Sequence, residues 1–398
     1  MACEAKRPKV RFRQIDLGDL ETEYWLRRTV GSFQLSIQVQ VCKGGVVADY
    51  GMVAQEDIGE GEVLFTIPRS ALLHQGTTHV AALLEQEKDS LESTSGWVPL
   101  LLALLYEYTT TQSKWKPYLS LWTDFKMLDH PMFCLTVNRN KGLFLSFCSF
   151  QEPQEEDDDE DDEEDPPNPP MMVPMADMLN HVSKHNANLE FTPDSLKMVC
   201  VRPIKKGEEV FNTYGQMANW QLLHMYGFTQ THSDNDADTA DIPVINLYKA
   251  ATKEPDGDQQ LLAEMWELLR DKEAFVFGKD SCFTHTELHS VLKVLCMSRE
   301  EFLEFKNNDG WEDDEDEDET IFQVFSNDGL LELKSKWRRL IHEAARLTVM
   351  GYPNLDEDRV LMEDQASLER LSRRQRNALK VRYGQKSILD KVMELTKS

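Results

Sequence analysis

Two uninterrupted acidic runs constrain this chain more than any other feature. Glu155 to Asp165 is eleven consecutive carboxylates, and Glu312 to Glu319 is eight more. Such runs repel themselves and keep their water, so neither enters a core. The first also leads into Pro166, Pro167, Pro169 and Pro170, a composition that cannot bury apolar surface. Any fold is therefore built from the segments around two solvated loops. The net charge is −27, and without these 19 acids it is −8. A mildly acidic remainder argues against a broad basic face and against direct nucleic-acid binding. A docking tail for a basic partner is the alternative reading of the runs, and a basic substrate would gain from their field.

A length of 398 residues exceeds what one ordinary core supports and predicts two domains or three. No window holds eighteen consecutive apolar residues, so no membrane-spanning helix is expected. The start, MACEAKRPKVRFRQ, lacks the apolar stretch of a secretory signal. Seven scattered cysteines (3, 42, 134, 148, 200, 282, 296) without a C-x-x-C predict neither a disulfide scaffold nor a cysteine zinc module, and they suit a reducing compartment. Lys6, Arg7, Lys9, Arg11 and Arg13 fit a nuclear import signal or a solvated tail.

Residues 32–40 alternate polar and apolar as a strand does. Residues 46–73 read as two strands around a turn at Asp57, Gly59 and Gly61, with Pro68 as the stop. Helical spacing covers 78–92 and 97–109. The stretch 189–215 reads as three strands, with Lys205-Lys206-Gly207 as its second turn. Asn219–Tyr226 is a short helix ending at Gly227. From about 255 onward the pattern is helical, over 258–275, 284–306, 328–350, 365–383 and 384–396. A β-rich part followed by a helical part predicts an α+β domain and a separate all-α domain.

Standard cofactor signatures give nothing: there is no P-loop, no G-x-G-x-x-G and no G-x-S-x-G elbow. His181 and His185 have helical i, i+4 spacing but no glutamate follows the first, so no metal site is expected. Three segments are informative together. They are Ala48-Asp49-Tyr50-Gly51-Met52-Val53-Ala54, then Asp177-Met178-Leu179-Asn180-His181, then Phe211-Asn212-Thr213-Tyr214-Gly215 with Tyr226-Gly227-Phe228 behind. Singly, each has a plain structural reading as a turn, a helix cap or a half-buried strand end.

In this order the ensemble resembles the SET-domain methyltransferases, and more narrowly the branch typified by the Rubisco large-subunit methyltransferase. The runs SGWVPLLLALL, MVPMADMLNH, EVFNTYGQMANWQLLHMYGF and RYGQK carry the resemblance, which spans about residues 40 to 396. It implies a tail over 1–30 and a SET domain over 31–245, with a helical insertion over about 78–150 and an acidic loop at 151–170. It further implies a helical substrate-binding domain over 246–398, with an acidic loop at 307–320.

The resemblance also implies roles. Ala48, Asp49 and Tyr50 would meet the cofactor S-adenosylmethionine first. Asp177, Asn180 and His181 match the ADxxNH motif that contacts the same cofactor. Tyr214 matches the catalytic tyrosine, which also borders the cofactor. Tyr226 matches the second aromatic of the lysine channel, with Leu189 and Phe191 as channel neighbours. The implied activity is protein-lysine N-methylation, mainly to the monomethyl product, on nuclear proteins such as an NF-kappa-B transcription-factor subunit or a histone tail. The implied location is the nucleus, with the cytoplasm as a second site. No membrane partner is implied, and oligomeric state stays open.

One departure bears on activity. The family's insertion between Pro131-Met132-Phe133 and Ser149-Phe150-Gln151-Glu152-Pro153 is long and helical, whereas here only LTVNRNKGLFLSFCSF joins them. A splice or gene-model variant and a real shortened form both fit. The missing piece walls the substrate cleft, and its last turn gives a cofactor contact near Cys148 and Ser149. Two other functions therefore stay open: a catalytically impaired chain that binds partners, and a histidine N-methyltransferase on the same fold.

Overall fold

The computed structural model describes residues 38–43, 50–91, 96–120, 149–150, 168–254, 258–307, 318–352 and 355–397. The chain divides into two compact units, one of residues 1–216 with 224–227 and one of 217–223 with 228–398.

The strands of the first unit are β1 (Val39–Lys43), β2 (Tyr50–Ala54), β3 (Val63–Pro68), β4 (Ser149–Phe150), β5 (Met171–Met172), β6 (Asn180–His181), β7 (Ala187–Phe191), β8 (Ser195–Cys200) and β9 (Glu209–Asn212). One sheet runs β1-β2-β9-β6 and another β3-β8-β7, while β4 pairs with β5. β1, β2 and β9 are antiparallel neighbours. β6 instead runs parallel to β9, setting Asn180 beside Phe211 and His181 beside Asn212.

The turn chemistry anticipated from sequence is present. Gly61 and Gly207 take φ of 82° and 83°, which side chains other than glycine rarely adopt. Asp57 of the first turn accepts from the Lys206 amide of the second at 2.9 Å. Met52, Leu64, Phe65, Ile67, Leu196, Met198, Val210 and Leu179 are wholly buried between the strands, each worth about 1.5–3 kcal/mol relative to exposure.

The helix Trp97–Thr109 buries Leu100, Ala103, Leu104 and Glu107 along one face, the i, i+3, i+4, i+7 stripe of a packed helix. Glu107 is fully buried and accepts from Thr78 Oγ1 and the His79 amide at 2.7 Å and from Ser113 Oγ at 2.5 Å. Burial pushes its carboxyl up, but the Ser113, Thr78 and His79 hydrogen bonds outweigh it and hold it low. Leu100 and Leu104 pack with Leu73, Trp115, Tyr118, Leu119 and Met172.

In the second unit β10 (Ala240–Pro243) pairs antiparallel with β11 (Ala274–Phe277). The helix expected over 258–275 stops at Leu269. The residues Ala274-Phe275-Val276-Phe277 are strand because Phe275 and Phe277 alternate into the core. The expected helix over 284–306 is two, His285–Cys296 and Arg299–Asn307. Ser298 breaks it: its amide donates to Glu301 Oε2, and its hydroxyl accepts from the Glu301 amide, a reciprocal cap that starts a new helix. Likewise Asn327–Glu332 and Ser335–Val349 replace one helix over 328–350. The second acidic run ends inside a helix, Asp318–Val324.

The helices expected over 365–383 and 384–396 are drawn differently. Arg373–Leu395 is one helix, opened by a capping box between Ser372 and Gln375, and it runs straight through Gly384. A side chain there would run into Asp238 Oδ2. Asp238 cannot yield, because it holds the Asn219 amide and side chain and faces His232 Nδ1 at 3.0 Å.

Candidate functional site

β6 and β9 bring two of the three sequence segments together. Asn180, 4% exposed, spends its side-chain amide on two elements: it donates to the Tyr50 carbonyl at 3.0 Å and to Glu209 Oε1 at 2.6 Å. It thereby ties β6 to the first residue of β2 and to the first residue of β9. Asn186, also buried, donates to the Glu209 carbonyl at 3.0 Å and accepts from the Phe211 amide at 2.7 Å. That side chain acts as an extra rung beside β9 and fixes the strand that leads to Tyr214.

His181 is fully buried. The Tyr214 amide donates to its Nδ1 at 2.9 Å, which puts the ring proton on Nε2. Burial, helped by the nearby His185, lowers its pKa to about 4. The ring is neutral at physiological pH. His181 lies in β6 and His185 in the turn after it, so the pair does not share a helical face.

Tyr214 follows β9, and its hydroxyl donates to the Leu179 carbonyl at 3.0 Å. Its ring lies 5.2 Å from the His181 ring and 4.8 Å from the Tyr226 ring, tilted 45° to the latter. Both tyrosines are half-buried. The structure thus gathers Tyr50, Asn180, His181, Tyr214 and Tyr226 around one point.

The other candidate positions fall elsewhere. Leu189 and Phe191 share a face of β7 and pack in the apolar core of the first unit. Ser149 opens β4 opposite Met172. Ala48 and Asp49 lie outside the described residues. Asp177 sits in the 3-10 turn Ala176–Met178 just before β6, and its Oδ2 accepts from the buried Tyr118 hydroxyl.

Burial raises the Asp177 carboxyl to about 7, against the Tyr118 hydrogen bond that lowers it. Between pH 3.8 and about 7 the folded chain keeps a proton that the unfolded chain has lost, so stability falls as pH rises through that window. Asp177→Asn keeps an acceptor for Tyr118 and removes the titration. Its stability relative to the parent chain should therefore grow from pH 4 to pH 8 by roughly 1.4 kcal/mol per unit across the window. Urea unfolding at a series of pH values checks this, and a flat difference would refute the assignment.

Sequence reasoning missed Glu209, Asn186 and Tyr118. Glu209 is visible only as a carboxylate inside an otherwise apolar strand. Asn186 reads as the polar end of a turn. Tyr118 stands in an aromatic-rich stretch that reads as loop, although Pro117 at the start of Lys116–Leu119 is a helix-start signal.

Two buried acceptors in these segments have no hydrogen-bond partner, Asp177 Oδ1 and Asn212 Oδ1. Unsatisfied buried acceptors are costly. They fit a ligand that carries several N–H and O–H donors.

The SET domain family matches residues 49–215, and the family described as Rubisco LSMT substrate-binding matches residues 256–389. The N-lysine methyltransferase setd6 of Salmo salar is 50% identical over all of both chains, and that of Homo sapiens is 39% identical over all of both. The alignment with the salmon relative runs over 457 positions against 398 residues here, so some of its residues have no counterpart in this chain. Among solved structures, the SET domain of LSMT bound to lysine and AdoHcy aligns over 97% of this chain and 92% of its own. Its TM-score is 0.57 and its identity 17%. Rubisco LSMT bound to AdoMet aligns over 96% and 92%, with a TM-score of 0.57 and 16% identity. These structures share the fold.

Proposed function

Because the chain belongs to the SET-domain family of setd6 N-lysine methyltransferases, we propose that it transfers one methyl group from S-adenosylmethionine to a lysine of a protein substrate. The observation that carries this reading is the Tyr214–Tyr226 ring pair, 4.8 Å between centroids, backed by a neutral buried His181. Asn180, His181, Tyr50 and the buried acceptors of Asp177 and Asn212 would hold the cofactor, whose α-ammonium, adenine amine and ribose hydroxyls are donors. When bound, it supplies the methyl group on its sulfonium.

The chain's own residues do the rest. A lysine amine with a pKa near ~10.4 is mostly charged and inert at neutral pH. Loss of water between the rings of Tyr214 and Tyr226 and the neutral His181 disfavours the ammonium form and lowers that value. The Tyr214 hydroxyl donates to the Leu179 carbonyl, and its oxygen would accept from the amine and aim the nitrogen lone pair. Such alignment is worth up to ~7–11 kcal/mol of barrier in favourable cases. Two tyrosines leave little room beside the amine, which favours the monomethyl product.

The basic cluster Lys6 to Arg13 fits nuclear import, and a lysine-rich nuclear target such as a histone tail or a transcription-factor subunit would suit the acidic runs. A second reading, a non-catalytic binding module, draws on the residues of the relatives that this chain lacks. One experiment separates the two. The purified chain is titrated with S-adenosylmethionine in a calorimeter, then incubated with the cofactor and lysine peptides and read by mass. Micromolar binding and a single 14 Da increment on peptide lysine are expected, that increment being one methylene in mass. A folded chain that neither binds nor transfers would refute the enzymatic reading.

A further inference from the structure

We propose that Tyr118 is a positioning residue for methyl transfer, holding through Asp177 the turn whose carbonyl orients Tyr214. The inference rests on the methyltransferase reading above, and it assigns a role to a residue of the short helix Lys116–Leu119.

The chain of contacts is short. Tyr118, on the helix Lys116–Leu119, is wholly buried and meets Trp115 edge to face at 6.4 Å. Its hydroxyl donates to Asp177 Oδ2, while Asp177 Oδ1 is buried without a partner. The Tyr118 hydroxyl is therefore the side-chain anchor of that carboxyl. Asp177 lies in the 3-10 turn Ala176–Met178, whose last amides close on Met175 and Ala176. The next carbonyl, Leu179, receives the Tyr214 hydroxyl at 3.0 Å, and the residue after Asn180, His181, receives the Tyr214 amide.

The turn needs an anchor. Met175, which opens it, has φ of 78°, and among the described residues no other non-glycine has a positive φ. Such a conformation persists only where its surroundings fix it. The Asp177 carboxyl is the polar handle in reach of the turn, and Tyr118 holds it. If the turn rotates, the Leu179 carbonyl moves, and the Tyr214 hydroxyl moves with it. Displacements of about 1 Å at reacting groups can cost up to ~100-fold in rate.

A packing role for Tyr118 predicts something else. Its ring sits among Leu73, Leu100, Leu104, Leu119 and Met172, and phenylalanine keeps all of that. Tyr118→Phe therefore isolates the hydroxyl. In the full chain it should lower kcat for peptide methylation roughly tenfold, with KM for S-adenosylmethionine and for peptide nearly unchanged and the melting temperature lowered by only a few degrees, because Asp177 Oδ2 loses its partner while the ring packing stays. Asp177→Ala removes the same contact and should lower kcat at least as much, with a raised KM for S-adenosylmethionine because its carboxyl also borders the cofactor, and the double variant should be no slower than Asp177→Ala alone. Unchanged kcat in Tyr118→Phe, or additive losses in the double variant, overturns the proposal.

A readout independent of turnover keeps this test apart from the test of function. In chain labelled with 13C at tyrosine Cζ, the Tyr214 resonance is identified by its loss in Tyr214→Phe. It should shift in Tyr118→Phe whether or not peptide is methylated. A parent chain that binds cofactor and methylates nothing refutes the enzymatic reading. An unmoved Tyr214 resonance refutes the relay.

Discussion

Tyr214→Phe should lower the rate of lysine methylation by about 100-fold or more while leaving S-adenosylmethionine binding and the fold intact. The size follows from what single oriented polar groups are worth in enclosed sites, ~100- to 1,000-fold. The selectivity follows from geometry. Phenylalanine keeps the ring contacts with Tyr226 at 4.8 Å and with His181 at 5.2 Å. It also keeps the backbone amide that donates to His181 Nδ1 at 2.9 Å, so the neutral imidazole stays in place. Only the hydroxyl leaves, and with it the bond to the Leu179 carbonyl, worth about 0.5–1.5 kcal/mol. Calorimetric binding of the cofactor, a melting curve and a mass-based methylation assay on the same preparation decide it. Turnover equal to the parent chain would remove Tyr214 from the chemistry, and lost cofactor binding would make it part of the cofactor pocket instead.

The legible part of this fold was the part written in local chemistry. Gly61 and Gly207 mark turns because backbone with positive φ tolerates little else. The strand Ser195–Cys200 alternates half-buried and buried because one face must enter the core, whereas Val63–Pro68 buries Leu64 and Phe65 side by side across a shift of register. Helix ends in the second unit were less visible. Ser298 and Glu301 form a cap only when the chain on either side already turns there. The strand Ala274–Phe277 and the preceding helix share one apolar texture, and only pairing with Ala240–Pro243 separates them. A glycine in the middle of Arg373–Leu395 reads as a stop, yet here it admits the carboxylate of Asp238.

The candidate site divides the same way. Asn180, His181, Tyr214 and Tyr226 stand in short motifs and were visible as types in an order. What fixes them is not local: Asn180 is held by Glu209 and by the Tyr50 carbonyl, 130 residues away. Asn186 and Tyr118 act through side-chain hydrogen bonds that form only once strands are in register. Electrostatics is likewise a product of burial. Asp177 and His181 stand four residues apart, and desolvation moves the first up to about 7 and the second down to about 4, so each is shifted toward its neutral form. On the function proposed above, neutral walls suit a lysine amine that must arrive uncharged, because a fixed negative charge close by would hold it as ammonium.

The second unit rests on a buried ionic cluster, and removing its anion should be the most destabilising single change outside the apolar core. Asp358 is wholly buried and receives Arg382 in a two-pronged contact at 2.6 and 2.5 Å and Lys386 at 2.5 Å. Lys386 is itself 3% exposed. Burial pushes the Asp358 carboxyl up, but the Arg382 and Lys386 hydrogen bonds prevail and hold it below its ordinary value. Asp358→Ala leaves two cations facing each other with Lys386 out of reach of water, a change that costs about 3–5 kcal/mol. For a unit of this size that lowers the melting transition by roughly 6–20 °C. The sign with pH is fixed as well. A carboxyl held low contributes stability at every pH above 3.8 and loses it only as the solution is acidified through its folded value, so the gap between parent and variant should be constant from pH 5 to pH 8. A variant carrying Asp358→Leu with Lys386→Met removes the stranded cation along with the anion and should recover much of the loss, since apolar groups of similar volume replace buried pairs at little cost. Scanning calorimetry of the three chains decides the matter: equal melting of the parent chain and Asp358→Ala would show that the cluster is solvated in solution and holds nothing together.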